Sequence, residues 1–180
     1  DLKNRGAKKL ILDLRGNGGG SLAEAVDIVG LFVPKGTQVV STRGKLSQAS
    51  QTFKTQREPL DLTIPLVVLV DGQSASASEI VAGAIQDLDR GVVMGWRTFG
   101  KGLVQSVREL PYNSSLKITT SKYYTPSGRC VQKIDYSKAV RSKGEEDKTE
   151  SAPGEFYTLS GRPVKAAGGI TPDVVLKELA

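Results

Sequence analysis

Leu66-Val67-Val68-Leu69-Val70-Asp71-Gly72-Gln73-Ser74-Ala75-Ser76-Ala77-Ser78-Glu79-Ile80 joins the most apolar run of the chain to a helix, and it settles the fold class. Five consecutive apolar residues after Pro65 read as a strand buried on both faces, the pattern of a central strand. Asp71-Gly72-Gln73 turns the chain. From Ala77 to Leu88 the composition is helical, with Ile80, Ala84 and Leu88 on one face. Ser76 therefore falls between a central strand and a helix N-terminus, where backbone amides have no intrahelical partner.

Upstream, Lys9-Leu10-Ile11-Leu12-Asp13-Leu14 reads as another buried strand, Arg15 to Gly20 as a tight glycine-rich loop, and Ser21 as the N-cap of a helix ending near Phe32. Thr37 to Thr42 reads as a strand. Arg43 to Leu60 is polar without clear periodicity and accommodates a short helix or hairpin. Downstream, Gly91 to Gly95 is a further strand, and Leu103 to Leu110 with Leu116 to Tyr124 form an antiparallel pair around Pro111-Tyr112-Asn113-Ser114-Ser115. Lys138 to Gly154 is charged and small, the composition of a mobile surface loop, and Phe156 to Val175 regains structure. No internal repeat is present. This order predicts an α/β fold: a core of mixed β-sheet with flanking helices, plus a C-terminal antiparallel hairpin region.

The 180 residues fit one domain. The net charge of +6 comes from basic residues interleaved with acids rather than gathered into a stripe, so nucleic acid is not an expected partner. A lone cysteine, Cys130, excludes an internal disulfide and a structural zinc cluster. No apolar run approaches the roughly 20 residues that span a bilayer, so no integral membrane segment is expected in this chain. The chain opens on Asp1-Leu2-Lys3-Asn4-Arg5 with a strand almost at once, which reads as the interior of a longer protein.

The absence of histidine limits the chemistry. A serine hydroxyl needs a base to become a nucleophile, and without histidine that base is Lys, Asp or Glu. A lysine amine, ordinarily near pKa 10.4, serves only where apolar surroundings bring it toward roughly 7 to 8. Phe99-Gly100-Lys101-Gly102-Leu103-Val104-Gln105 offers such a lysine: Phe99, Leu103 and Val104 supply apolar neighbours, and the two glycines permit close backbone approach. The Ala77 amide is a natural oxyanion donor, with a second available from Gly18 to Gly20. Each element also has a plain structural reading: a serine-rich helix cap, an exposed turn lysine, a flexible glycine loop.

Three other motifs fail on inspection. Gly95 to Lys101 matches the start of a nucleotide P-loop, but Gly102 stands where Ser or Thr must hold magnesium. Gly16 to Ser21 lacks the last glycine of a dinucleotide fingerprint and its downstream acid. Ser114-Ser115-Leu116-Lys117 has the Ser-x-x-Lys spacing but sits in a hairpin rather than a helix.

Five segments in order carry a resemblance: Leu12 to Gly20, Ser74 to Asp87, Thr98 to Gln105, Lys117 to Arg129, and Gly168 to Asp173. Together they resemble the catalytic domain of the C-terminal processing peptidase, or tail-specific protease, family. The resemblance implies a ClpP/crotonase-like core and a Ser-Lys dyad, with Ser76 as nucleophile, Lys101 as base and Gln105 orienting the lysine. It places the oxyanion hole at Ala77 and Gly19, and matches Asp87 to a position often acidic in the family, in a supporting role. It implies that residues 1–180 are a catalytic domain, normally preceded by a PDZ domain and an N-terminal segment that this sequence lacks. It further implies protein substrates with unstructured apolar C-termini, no cofactor or metal, and a periplasmic or otherwise extracytoplasmic location. A homo-oligomer or a regulatory partner would act through the missing segments. The alternatives are a non-catalytic relative that binds peptides or apolar ligands in the same cleft, and a crotonase-like acyl-CoA enzyme, which would not need Lys101.

Overall fold

The computed structural model describes residues 2–133, 155–166 and 168–177, so the loop expected over 138–154 lies outside the described residues. Two four-stranded sheets and two helices make up the core. The first sheet is parallel throughout, in the order β1 (Leu10–Asp13), β4 (Leu66–Val70), β5 (Val92–Gly95), β10 (Val174–Val175). The second is antiparallel, in the order β3 (Gln51–Lys54), β2 (Gln38–Gly44), β7 (Ser114–Tyr124), β6 (Leu103–Leu110). A short pair, β8 (Phe156–Tyr157) and β9 (Pro163–Val164), completes the strands. The expected α/β class, with parallel and antiparallel strands and a hairpin, is what the chain forms. The strands are divided between two sheets rather than mixed in one.

The apolar run Leu66–Val70 is central as its composition predicts, with Leu66, Val68 and Val70 buried. Helix α1 (Leu22–Gly30) starts at Ser21, whose side chain accepts the Glu24 amide, as expected of an N-cap. It ends two residues before Phe32. The polar stretch after residue 42 resolves into the end of β2, a 3₁₀ turn at Ser47–Ala49 and β3, a hairpin with a short helical turn. Helix α2 (Ala77–Asp87) packs against α1, β5 and β2, and so lies between the two sheets. All its residues are buried, not only one face. Its polar residues must therefore find partners inside the protein, and those partners build the site. Among the described residues, no helix is long and apolar enough to cross a membrane.

Candidate active site

Ser76 is the N-cap of α2 and has φ 57° and ψ −116°, a conformation that an L residue adopts only when its surroundings impose it. The loop before it is held from both sides. The Asp71 carboxylate accepts the amides of Gln73 (2.9 Å), Ser74 (3.0 Å) and Gly16 (3.0 Å), tying the nucleophile turn to the glycine loop. Burial pushes the Asp71 carboxyl up, but these hydrogen bonds outweigh it and hold the group below the usual carboxylate range. Ser74, fully buried, donates its hydroxyl to the Leu14 carbonyl at 2.7 Å. Ser78 is buried within the helix. Of the three serines, Ser76 lines a cleft.

That cleft, about 300 Å³, is shared by Ser76, Ala77, Lys101, Leu103, Gln105 and Tyr123, among others. The structure thus brings together the expected nucleophile, base, orienting glutamine and first oxyanion amide. Neither Ser76 with Lys101 nor Lys101 with Gln105 is joined by a side-chain hydrogen bond among the described residues. Leu103 and Val104 line this cleft beside the lysine as expected. Phe99 does not; it is 57% exposed and borders a second, larger cleft.

Gly19 packs directly on the nucleophile turn at φ +99°: a Cβ there would come within 2.6 Å of the Ala75 carbonyl oxygen and 2.8 Å of the Ala77 nitrogen. Only glycine allows this approach. The Gly19 amide, however, donates to Asn17 Oδ1 at 2.9 Å. The Ala77 amide has no acceptor among the described residues.

Glu79, fully buried in the first turn of α2, organises both halves of the site. Its Oε2 accepts the Ser76 amide (2.9 Å) and the Lys101 amide (2.8 Å), and its Oε1 accepts the Gly100 amide (2.8 Å) and the Thr98 hydroxyl (2.6 Å). One carboxylate therefore fixes the backbone of the serine and of the lysine together. Burial raises the Glu79 pKa, and these four donors oppose the rise without cancelling it. Tyr123 adds a second clasp. Its buried hydroxyl lies within hydrogen-bond reach of the Ser76 carbonyl (3.1 Å) and the Lys101 carbonyl, sharing its proton between them. Burial pushes the Tyr123 phenol well up, which keeps it a donor.

The lysine segment is further pinned by the nucleophile turn, the tail and the stretch after β7. The Phe99 amide donates to the Ser74 carbonyl (3.0 Å), the Ile170 amide to the Thr98 hydroxyl (2.6 Å), and the Lys133 amide to the Gly100 carbonyl (2.9 Å). Gly100 has φ +90°, and a Cβ there would meet Lys133 Cβ at 2.8 Å, so the residue before the lysine must be glycine.

Residues 1–140 match the description "Peptidase family S41". This chain belongs to peptidase family S41. It is 46% identical over 127 residues to a carboxy-terminal-processing protease of Bartonella bacilliformis, covering 71% of this chain and 29% of that protein. It is 42% identical over 126 residues to carboxyl-terminal-processing peptidase 1, chloroplastic, of Arabidopsis thaliana, covering 70% and 26%. Among solved structures it is similar to a photosystem II D1 C-terminal processing protease, with a TM-score of 0.70, 32% identity, and 98% of this chain and 36% of that chain covered. The chain thus spans about a third or less of the length of these relatives.

Within this S41 chain Asp87 stands apart from the cleft. It lies at the far end of α2, about 16 Å from Ser76 at 1.5 Å per helical residue. There it pairs with the buried Arg129 (2.7 Å) and accepts the Ser127 amide (3.0 Å). Glu79 and Tyr123 are the residues that sequence reasoning missed. Ser76-Ala77-Ser78-Glu79 has the spacing of a capping box, a signal that would have found Glu79. Tyr123 gives no such signal, being one aromatic residue in a strand.

Proposed function

We propose that this chain carries the catalytic centre of a serine endopeptidase that works by a Ser76-Lys101 dyad. The observation that carries this reading is the shared cleft, with a strained helix-capping serine and a lysine held on one buried carboxylate, in an S41 chain without histidine. Lys101 in its neutral form takes the Ser76 proton and Ser76 attacks the scissile carbonyl. The Ala77 amide donates to the oxyanion, Lys101 returns the proton to the leaving amine, and water releases the acyl group. Gln105 orients the amine once substrate fills the cleft. Gly19 becomes the second oxyanion donor when its amide leaves Asn17. Asp87 supports the fold around the site rather than the reaction.

The relatives' names support carboxy-terminal processing; from the resemblance of its sequence motifs we further infer protein substrates with unstructured apolar C-terminal tails, captured by a PDZ domain elsewhere in the full-length protein, in an extracytoplasmic compartment. The test is proteolysis of an unfolded protein with an apolar C-terminal tail by the full-length protein. Cleavage is expected to fall by about 10⁴-fold or more in Ser76→Ala and in Lys101→Ala. Tail binding without cleavage by the unaltered protein would replace this reading with that of a peptide-binding relative.

A further inference from the structure

We propose that the larger cleft beside the nucleophile holds the leaving segment of the substrate, an inference that rests on the dyad reading above. Phe99 on its wall selects an apolar side chain among the residues that follow the scissile bond. This cleft has a volume of about 1050 Å³, against about 300 Å³ for the Ser76 cleft. It is just past the roughly 1,000 Å³ upper end of small-molecule pockets, which is room for a run of residues rather than for one side chain.

The chemistry of the dyad gives the cleft its direction. Lys101 returns the proton to the leaving amine, so that nitrogen lies on the lysine side of Ser76, while the carbonyl oxygen lies at the Ala77 amide. The two clefts meet at Lys101, Leu103 and Gln105. Gly20, Ser76, Ala77 and Ile80 line the smaller cleft and not the larger. An extended chain with its scissile carbonyl at Ala77 therefore passes the lysine as it enters the larger cleft. The part that enters is the part beyond the broken bond.

Phe99 and Leu103 are the two large apolar residues that line this cleft among the described residues, and Gly72, Gly100 and Gly168 leave other parts of its wall without side chains. A lone exposed apolar residue is ordinary on a protein surface. What sets Phe99 apart is the pinning of its backbone. Its amide donates to the Ser74 carbonyl (3.0 Å), and both of its neighbours donate to Glu79 Oε1, Thr98 through its hydroxyl (2.6 Å) and Gly100 through its amide (2.8 Å). The segment that carries the ring is thus fixed to the same carboxylate as Ser76 and Lys101, yet the ring remains 57% exposed. Carried on backbone fixed relative to the nucleophile, the ring reads one position of the substrate, and an apolar side chain that covers it removes apolar surface from water.

The test uses the full-length protein and quenched-fluorescence peptides of one cleavable sequence. Leu replaces Ser, one position at a time, at each of the four residues on either side of the scissile bond. At one position after the bond, Leu is expected to raise kcat/KM about tenfold over Ser. Phe99→Ala and Phe99→Gln are expected to bring that ratio near one, and Phe99→Leu to keep most of it, while the ratios for positions before the bond hold. Each ratio is taken within one variant, so a general loss of folded or active protein cancels from it. Ratios near one at all four positions after the bond, or a preference that survives Phe99→Ala, overturn the inference and leave the peptidase reading standing. A change confined to positions before the bond also overturns it, by putting the acyl segment in the larger cleft. So does an equal slowing of every peptide in Phe99→Ala, which would make Phe99 a shield for Lys101. Cleavage of no peptide by the unaltered protein overturns the peptidase reading, and the subsite with it.

Discussion

The two ends of helix α2 each bury a carboxylate, and they solve the problem in opposite ways. At the C-terminal end Asp87 is neutralised by Arg129, both side chains fully buried, with Arg129 also donating to Gln86 Oε1 (2.7 Å) and the Lys165 carbonyl (2.9 Å). Burial lowers the Arg129 pKa, and Asp87 opposes that shift. At the N-terminal end Glu79 has no cation paired with it among the described residues, only three amides and a hydroxyl. A buried ion pair locks two segments of chain together. A buried carboxylate held by neutral donors instead sets the position of the backbones that donate to it, here those of Ser76 and Lys101. The first end holds the fold and the second holds the backbones of the two candidate-site residues.

The isosteric substitutions Glu79→Gln and Asp87→Asn test this division directly. In Glu79→Gln one oxygen becomes an NH₂ group, which faces donors and cannot accept from them. We expect kcat/KM to fall by about 10²-fold, with a loss of about 2–4 kcal/mol of stability in urea unfolding. Tyr123→Phe removes the second clasp, and a decrease of about tenfold in kcat with little change in KM is expected. A larger rise in KM than fall in kcat would place Tyr123 in substrate binding instead. Asp87→Asn leaves Arg129 buried without its counter-charge and is expected to lose about 3–5 kcal/mol of stability. Yet kcat/KM per folded molecule should stay within about twofold, and a loss comparable to that of Glu79→Gln would erase the distinction between the ends.

The smallest effect is in pH. Because the Glu79 carboxyl is raised in the folded state, the native protein holds this proton more tightly than the unfolded chain. Its contribution to stability is fully present below the ordinary glutamate value of 4.5 and is lost as pH rises through the raised folded value. Unfolding free energy measured by urea denaturation should therefore decline from about pH 4.5 upward relative to Glu79→Gln, by at most about 1.4 kcal/mol per pH unit. A flat difference would mean that the four donors fully compensate burial.

Much of this arrangement is legible in local patterns. The run Leu66–Val70, the cap at Ser21, the helix after Ser76 and the hairpin of β6 and β7 follow from composition and spacing. The small polar residues around Ser76 and the glycines flanking Lys101 mark the two segments that the fold brings to one cleft. What escapes local reading is pairing across long stretches of chain. β2 joins β7 across some 80 positions, which separates the antiparallel strands into their own sheet. Phe99 reads as a shield for Lys101 by adjacency, but the turn at Gly100 sends it to the outer cleft. The Gly19 amide is taken by Asn17, a contact two residues away that glycine-loop composition does not reveal.

The most direct measurement is labelling of the full-length protein with a fluorophosphonate, which traps an activated serine, followed by mass-spectrometric mapping of the modified peptide. A single adduct on Ser76 is expected, lost in Lys101→Ala and slowed in Glu79→Gln. An adduct on another serine, or undiminished labelling of Ser76 in Lys101→Ala, would contradict it.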